Sequence, residues 1–202
     1  MGHDCSVGKM VVAIEIAEGL KRRGVDAVFC ATGQTGIMIE GDGLPLDCIV
    51  ADFVSGAAEQ LIVENQHHDY VIVEGQGSLV HPSYSAVTLG LLHGVMPQGL
   101  IFCYEIDRQT VTGIPDMAIP NSETIISLNE QMASVMRPCR VIGIAVNGRL
   151  VDEARIEQEC AWASETFGVP ACDVIRHGVQ PLVDAAVQLR VELTGQLDEE
   201  TP

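Results

Sequence analysis

The stretch GHDCSVGKM, residues 2–10, holds two glycines, a short polar run and a lysine in the spacing of a loop that cradles an anion. The common phosphate-binding pattern is G-x-x-x-x-G-K-[ST]. There, backbone N–H groups surround the phosphates, the lysine meets the outer oxygens and the hydroxyl holds magnesium. Here Gly2 stands one residue early, His3 occupies the first glycine's place, and Met10 stands where the hydroxyl belongs. A thioether is a poor ligand for a hard cation, which prefers oxygen. The amides of Ser6, Val7, Gly8 and Lys9 with the Lys9 ammonium are therefore equipped for an anion but not for ordinary magnesium-dependent phosphoryl transfer. A Gly-Lys pair also begins helices by chance, so the weight rests on context. Lysine occurs only twice in 202 residues, at Lys9 and Lys21, and Lys9 falls where an anion would sit.

The elements that must position this loop follow from periodicity. Apolar residues at helical intervals over 10–23, ending in Lys21-Arg22-Arg23-Gly24, predict a helix. Short apolar runs at 25–31, 69–75, 99–105, 140–148 and 171–175 predict buried strands. Between them, 51–66, 85–94, 122–136, 152–168 and 181–195 read as helices, and 32–47 as a long glycine-dense loop. Buried strands alternating with helices predict an α/β fold, a doubly wound, mostly parallel sheet. Ligands of such sheets bind outside the carboxyl ends of the strands. ATGQTG, EGQGSLVHPSYS, EIDRQT and NGR all leave strand ends and are expected to share one rim with residues 2–9.

The chain suits one domain over 1–195, with an acidic, frayed tail over 196–202. Its 47% apolar and 19% charged residues describe a folded chain, without internal repeats. No apolar run has membrane-spanning length and the start is not a signal peptide, so the cytoplasm is the expected location. A net charge of −17 disfavours nucleic acid and anionic membranes as partners. Seven scattered cysteines, never spaced CxxC, predict reduced thiols, with no disulfide frame and no metal site.

GHDCSVGK resembles the G-T-D-T-x-V-G-K loop of dethiobiotin synthetase. Glu74 in VIVEGQG is similar to that enzyme's VEG stretch, and Asn147-Gly148 ends a strand where that family places an adenine-reading asparagine. A closer resemblance is carried by GHDCSVGKM, ATGQTGIMIEG, DFVSGAAE, VEGQGSLVHPSYSAVTLGLLHG and the strand ending at Asn147-Gly148. Together, over most of 2–148, they resemble the carboxyl-terminal domain of the D-glutamate N-acetyltransferase family, long catalogued as a domain of unknown function. The resemblance implies a P-loop NTPase-like sheet whose first strand lies between this domain and a smaller Rossmann-like front domain. The expectation is a version lacking both the front domain and that first strand.

The resemblance also implies transfer of an acetyl group from acetyl-CoA to the amino group of D-glutamate; a homo-oligomer is expected. Gly2, Asp4, Cys5, Ser6, Val7, Gly8, Lys9, Met10, Gln34, Thr35, Gly36, Gly75, Gln76, Gly77 and Asn147 are then expected to bind the donor. Acetyl transfer needs a neutral amine and donors facing the developing oxyanion. His81 and Glu74 are the candidate bases, the glycine-flanked turn at 75–78 a candidate N–H nest, and Arg108 the candidate clamp for substrate carboxylates, with His81 or His93 assisting. Plainer roles compete: His81 as a turn residue before Pro82, Glu74 as a cap or a partner of Lys9, His93 as a helix end, Arg108 as a surface partner of Asp107 or Asp116, and His67-His68 as a solvated turn. Two other functions stand beside the acyltransferase. One is an ATP- and magnesium-dependent ligase or kinase of the dethiobiotin-synthetase type; the other is an inactive binding or oligomerising module.

Overall fold

A computed structural model describes residues 1–195; the acidic tail expected at 196–202 lies outside the described residues. In chain order the elements are α1 (Lys9–Arg22), β1 (Ala27–Cys30), α2 (Gln34–Glu40), α3 (Val54–Asn65), β2 (Tyr70–Val73), α4 (Ser85–Val95), β3 (Gly99–Glu105), β4 (Thr110–Val111), β5 (Ile114–Ala118), α5 (Ser122–Ala133), β6 (Arg140–Asn147), α6 (Glu153–Phe167), β7 (Ala171–Cys172) and α7 (Gln180–Thr194).

The expected parallel α/β architecture is present. β1 pairs with β2, and β3, β6 and β7 form a second set in the order β3-β6-β7, all parallel. Helices cover both faces. Val12, Ile16 and Leu20 of α1 meet Leu182 and Val183 of α7 on one side. On the other, Leu92 of α4, Ile125 of α5 and Ile156 of α6 close over Phe102 and Ile144. Both strands that carry Phe102 and Ile144 are apolar on both sides, as a doubly covered sheet requires.

The chain enters the sheet without a full first strand. Gly2 makes a single parallel bridge to Cys103. His3 N–H donates to the Cys103 carbonyl at 3.0 Å, and Cys103 N–H donates to the Met1 carbonyl at 2.9 Å. β2 and β3 are not paired with each other, and a cavity of about 490 Å³ lies between them.

Two elements differ from the sequence-based expectation. The region 32–47 is not all loop, because Gln34–Glu40 is helical, entered through extended Gly33 and closed by left-handed Gly41. The two strands β4 and β5 form an antiparallel hairpin after β3 that periodicity does not reveal. Their pairing is too short for an alternating pattern, and Gly113 at φ 79 turns the chain between them. Among the described residues no helix is long and apolar enough to cross a membrane. All seven cysteines are unpaired.

Candidate active site: an anion cup ringed by arginines

Two residues bend residues 2–9 into a cup. Ser6 at φ 54 and Gly8 at φ 101 both occupy the left-handed region, which turns consecutive N–H groups toward one concave side. Gly8 then caps α1, so Lys9 opens the helix at its positive end. The Lys9 stem runs between two glycines. A Cβ on Gly2 would stand 3.1 Å from Lys9 Cδ, and one on Gly75 3.2 Å from it. Lys9 Nζ donates to the Asp4 carbonyl at 2.8 Å. Burial lowers the Lys9 pKa, opposed by Cys103, Cys5, Asp4 and Glu74.

Asp4 is fully buried and ties the cup to the β4–β5 hairpin. Its Oδ2 accepts from Thr112 N–H at 2.8 Å, from Thr112 Oγ1 at 2.6 Å and from Arg108 at 3.3 Å. Burial pushes the carboxyl up, yet the Thr112 hydroxyl, the Cys5 and Thr112 amides and the Arg108 charge outweigh it. Asp4 is thereby held below the usual carboxylate range. Arg108 also donates to the Cys5 carbonyl at 2.7 Å and to Glu105 at 2.9 Å. Arg149 reaches the same Glu105 carboxylate at 2.7 Å. Lys9, Arg108 and Arg149, three of only eleven Lys and Arg residues, thus converge on one rim of a chain carrying −17. Arg108 pairs with Asp4 and Glu105, not with Asp107 or Asp116.

The second loop sits beside the cup. Glu74 Oε2 accepts from the amides of Thr32 and Gly33 at 2.9 and 3.0 Å, and its Oε1 accepts from no group among the described residues. Gly36 permits this approach, since a Cβ there would lie 2.4 Å from Glu74 Oε2. Gln76 Nε2 donates to Thr32 Oγ1 at 3.1 Å, and Thr88 Oγ1 donates to the Gln76 carbonyl at 2.8 Å. Gly77 at φ 55 turns the chain sharply within this loop. Ser78 Oγ donates to the His3 carbonyl at 3.2 Å, joining the two loops. Gln34 and Thr35 are exposed on α2, and Gln34 donates to Asp47 at 3.1 Å.

His81 is buried, and both ring nitrogens are committed. Nε2 faces the Thr112 carbonyl at 3.1 Å and must donate to it; Nδ1 accepts from Ser83 N–H at 3.2 Å. Asp4, Cys5 and His81 bring their ligand atoms within 4.8 Å of one another. The buried Asp4 Oδ1 has no hydrogen-bond partner among the described residues and lies 4.0 Å from His81 Nε2. With a proton on Nε2 and the Arg108 charge on Oδ2, this knot is held by hydrogen bonds and not by lone pairs aimed at a cation. His93 is exposed in the last turn of α4, and His68 pairs with Asp26 at 2.8 Å, each away from the cup.

Met10 explains itself through packing. Its half-buried side chain lies against the small cluster of Ala13, Ala17, Phe29 and Ala31. Asn147 does reach the loop: Nδ2 donates to the Val7 carbonyl at 3.2 Å and Oδ1 accepts from Arg149 N–H. Three contributors escaped sequence reasoning. Arg149 was detectable, since it follows Asn147-Gly148 at a strand end. Thr112 had no signal before the hairpin was seen. His3 sits inside the motif, and its Nε2 accepts from Glu105 N–H at 3.2 Å.

The family described as "Domain of unknown function (DUF1611_C) P-loop domain" matches residues 1–183. The chain belongs to the DUF1611 family. Two curated relatives are named D-glutamate N-acetyltransferase, from Pseudoalteromonas sp and Tritonibacter scottomollicae, each 42% identical over 91% and 92% of this chain. The chain spans 55% and 56% of their lengths. A solved DUF1611 structure from Anabaena variabilis superposes with TM-score 0.89 at 36% identity, over 93% of this chain and 56% of that one. The DUF1611 chain also shares its fold with the ADP- and magnesium-bound cobyrinic acid a,c-diamide synthase of Mycobacterium smegmatis, at TM-score 0.57 and 12% identity. That match covers 99% of this chain and 96% of the synthase.

Proposed function

We propose that this chain is the phosphate-binding domain of an amino-acid N-acetyltransferase, with acetyl-CoA as donor and D-glutamate as acceptor. The names of its two curated relatives supply the acceptor and the transferred acetyl group, and acetyl-CoA is the donor proposed to carry it. One observation in the site carries the reading: a P-loop-like cup, ringed by Lys9, Arg108 and Arg149, has the half-buried thioether of Met10 where a metal-binding loop has a hydroxyl. A coenzyme A diphosphate needs cations and N–H donors, and no metal.

The amides of Ser6, Val7 and Gly8 with Lys9 hold that diphosphate, and Asn147 reads the adenine edge. Cys5 and Met10 shape the cup from below, while Gln34, Thr35 and Gly36 border its outer wall. The 75–78 turn offers N–H donors to the thioester oxygen as it gains charge. Glu74, with Oε2 anchored on two amides, takes the proton from the attacking amine as the C–N bond forms, and the C–S bond then breaks to release the coenzyme A thiolate, which takes up that proton as the free thiol. His81 positions the hairpin through Thr112 and the 81–83 turn. Arg108 and Arg149 attract the carboxylates of the amino acid. Seven unpaired thiols agree with a reducing compartment, the cytoplasm.

Magnesium-ATP is the competing ligand, and it would need an oxygen donor where Met10 stands. Isothermal titration of acetyl-CoA, coenzyme A and magnesium-ATP decides between them. The expected result is acetyl-CoA binding that is unchanged by EDTA. Preference for magnesium-ATP overturns the proposal.

A further inference from the structure

The two arginines that share Glu105 differ in what they have left to give. Arg108 has only 14% of its side chain exposed, and all three of its nitrogens are engaged. Nε and Nη2 meet Glu105 at 3.3 and 2.9 Å, and Nη1 meets Asp4, the Cys5 carbonyl and Thr112 Oγ1. The Arg149 side chain is 53% exposed. Its Nε stands 2.7 Å from Glu105 Oε2, and its two Nη groups meet no acceptor among the described residues. Glu105 is buried, so its carboxylate is a fixed post that orients the Arg149 guanidinium and leaves both Nη groups for other oxygens.

The turn that carries Arg149 is fastened on several sides. Arg149 N–H donates to Asn147 Oδ1 at 3.2 Å, Gly148 N–H donates to Asp173 Oδ2 at 2.9 Å, and Val151 N–H donates to the Gly148 carbonyl at 3.1 Å. Gly148 packs so closely that a Cβ there would lie 2.3 Å from Ile156 Cγ1. Asn147 in turn reaches the cup, where its Nδ2 donates to the Val7 carbonyl at 3.2 Å. One amide side chain thus bridges the cup and the Arg149 turn. It keeps one N–H and one oxygen lone pair uncommitted among the described residues, the complement of an adenine edge.

Coenzyme A differs from ADP and ATP on the ribose: it carries a phosphate monoester on the 3′-oxygen, where they carry a hydroxyl. A ribose joined to a diphosphate in the cup and to a base on Asn147 lies between the two, beside the turn that carries Arg149. We propose that Arg149 is the 3′-phosphate subsite of this domain and the residue that selects coenzyme A over nucleotides lacking that phosphate. The inference rests on the coenzyme A reading of the cup. A phosphate presents paired oxygens that a guanidinium meets with two parallel hydrogen bonds. The pull of Arg108 and Arg149 on an approaching acceptor acts at long range. Contact with the 3′-phosphate is a separate matter, and Arg149 has the groups to make it.

The test is isothermal titration of the 202-residue chain and of Arg149→Gln with coenzyme A and with 3′-dephospho-coenzyme A. The parent chain is expected to bind coenzyme A about tenfold or more tightly than the dephospho form. Arg149→Gln is expected to bind the two alike. Equal affinities in the parent chain overturn the subsite while leaving coenzyme A in the cup. A preference that survives in Arg149→Gln, in a variant whose urea midpoint matches the parent's, overturns it as well, because the 3′-phosphate would then sit on other residues. Should the variant fail to fold, the parent's ratio of the two affinities still decides, together with adenosine 3′,5′-bisphosphate against AMP, where the same preference is expected. Binding of neither coenzyme form overturns the coenzyme A reading itself, and the subsite falls with it.

Discussion

Lys9 donates from Nζ to the main-chain carbonyl of Asp4, 2.8 Å away and within the same loop. The cation of the cup is thus stored on the loop's own backbone. It needs only to exchange one neutral acceptor for an anionic oxygen when a ligand arrives. A charge-assisted hydrogen bond of this kind contributes about 1.5–3 kcal/mol.

Lys9→Met therefore weakens acetyl-CoA binding by about 10- to 100-fold while keeping the stem volume. Removing the buried ammonium relieves its desolvation, which offsets the Asp4 carbonyl left without that donor, so stability stays within about 1 kcal/mol of the parent. Calorimetric titration with parallel urea melts separates the two quantities. An equal loss of binding and stability would assign Lys9 a purely structural role.

Asp4→Asn attacks the cup from the other side. The carboxylate accepts three hydrogen bonds on Oδ2, and an amide cannot satisfy the Thr112 and Arg108 donors in the same way. A loss of about 2 kcal/mol is expected, visible as a lower urea midpoint at constant slope. Thr112→Val removes the hydroxyl but keeps the amide donor, and costs about half as much.

Much of this arrangement was legible in the sequence, and the parts that were not share a cause. The strand ends at Glu74, Glu105 and Asn147 were placed by apolar runs stopping at polar residues, and the carboxyl-rim rule then brought their loops together. The hydrogen-bond anchors of Glu74 are the amides of Thr32 and Gly33. Those amides stand just before α2, at the entrance to a helix in a segment that reads as loop. Thr112 was invisible because a hairpin with so few paired residues leaves no period. The buried state of His81 was equally hidden, since burial there depends on the same hairpin.

Glu74→Gln keeps both amide contacts within reach of one side-chain oxygen, so the Tm is expected to move by only a few degrees. Acetyl transfer is expected to fall about 100-fold or more if Oε1 takes the amine proton. The measurement is transfer rate against pH, in an acetyl-CoA assay with D-glutamate. A His81→Asn variant that loses rate only in proportion to its loss of stability would agree with a positioning role for His81.

Gly94 marks where α4 touches α3. A Cβ at that position would lie 2.2 Å from the Ser55 carbonyl oxygen and 2.6 Å from Ala58 Cβ. The first obstacle is backbone, so no side-chain rotation relieves it, and the two helices must separate. Gly94→Ala is expected to cost about 2 kcal/mol despite the better helix propensity of alanine, lowering Tm by about 4–8 °C. An unchanged Tm would mean that the α3–α4 pair is loosely packed.

His3 makes stability depend on pH. Its ring is buried, and Nε2 accepts from Glu105 N–H, so a proton on that nitrogen breaks the bond. Burial, reinforced by the Arg108 charge, lowers its pKa to about 4 from the ordinary 6.5. The unfolded chain binds a proton as pH falls through 6.5, while the folded chain resists until about 4. The unfolded state holds more protons throughout that window, so folding stability falls as the solution is acidified. The full contribution is present above pH 6.5 and amounts to no more than about 3 kcal/mol. Urea melts between pH 4 and 7 are expected to show this slope for the parent chain. In His3→Gln an amide oxygen can still accept from Glu105 N–H without titrating, so that variant's slope is flatter by one proton. Parallel slopes in the two proteins would mean that other groups govern the acid side.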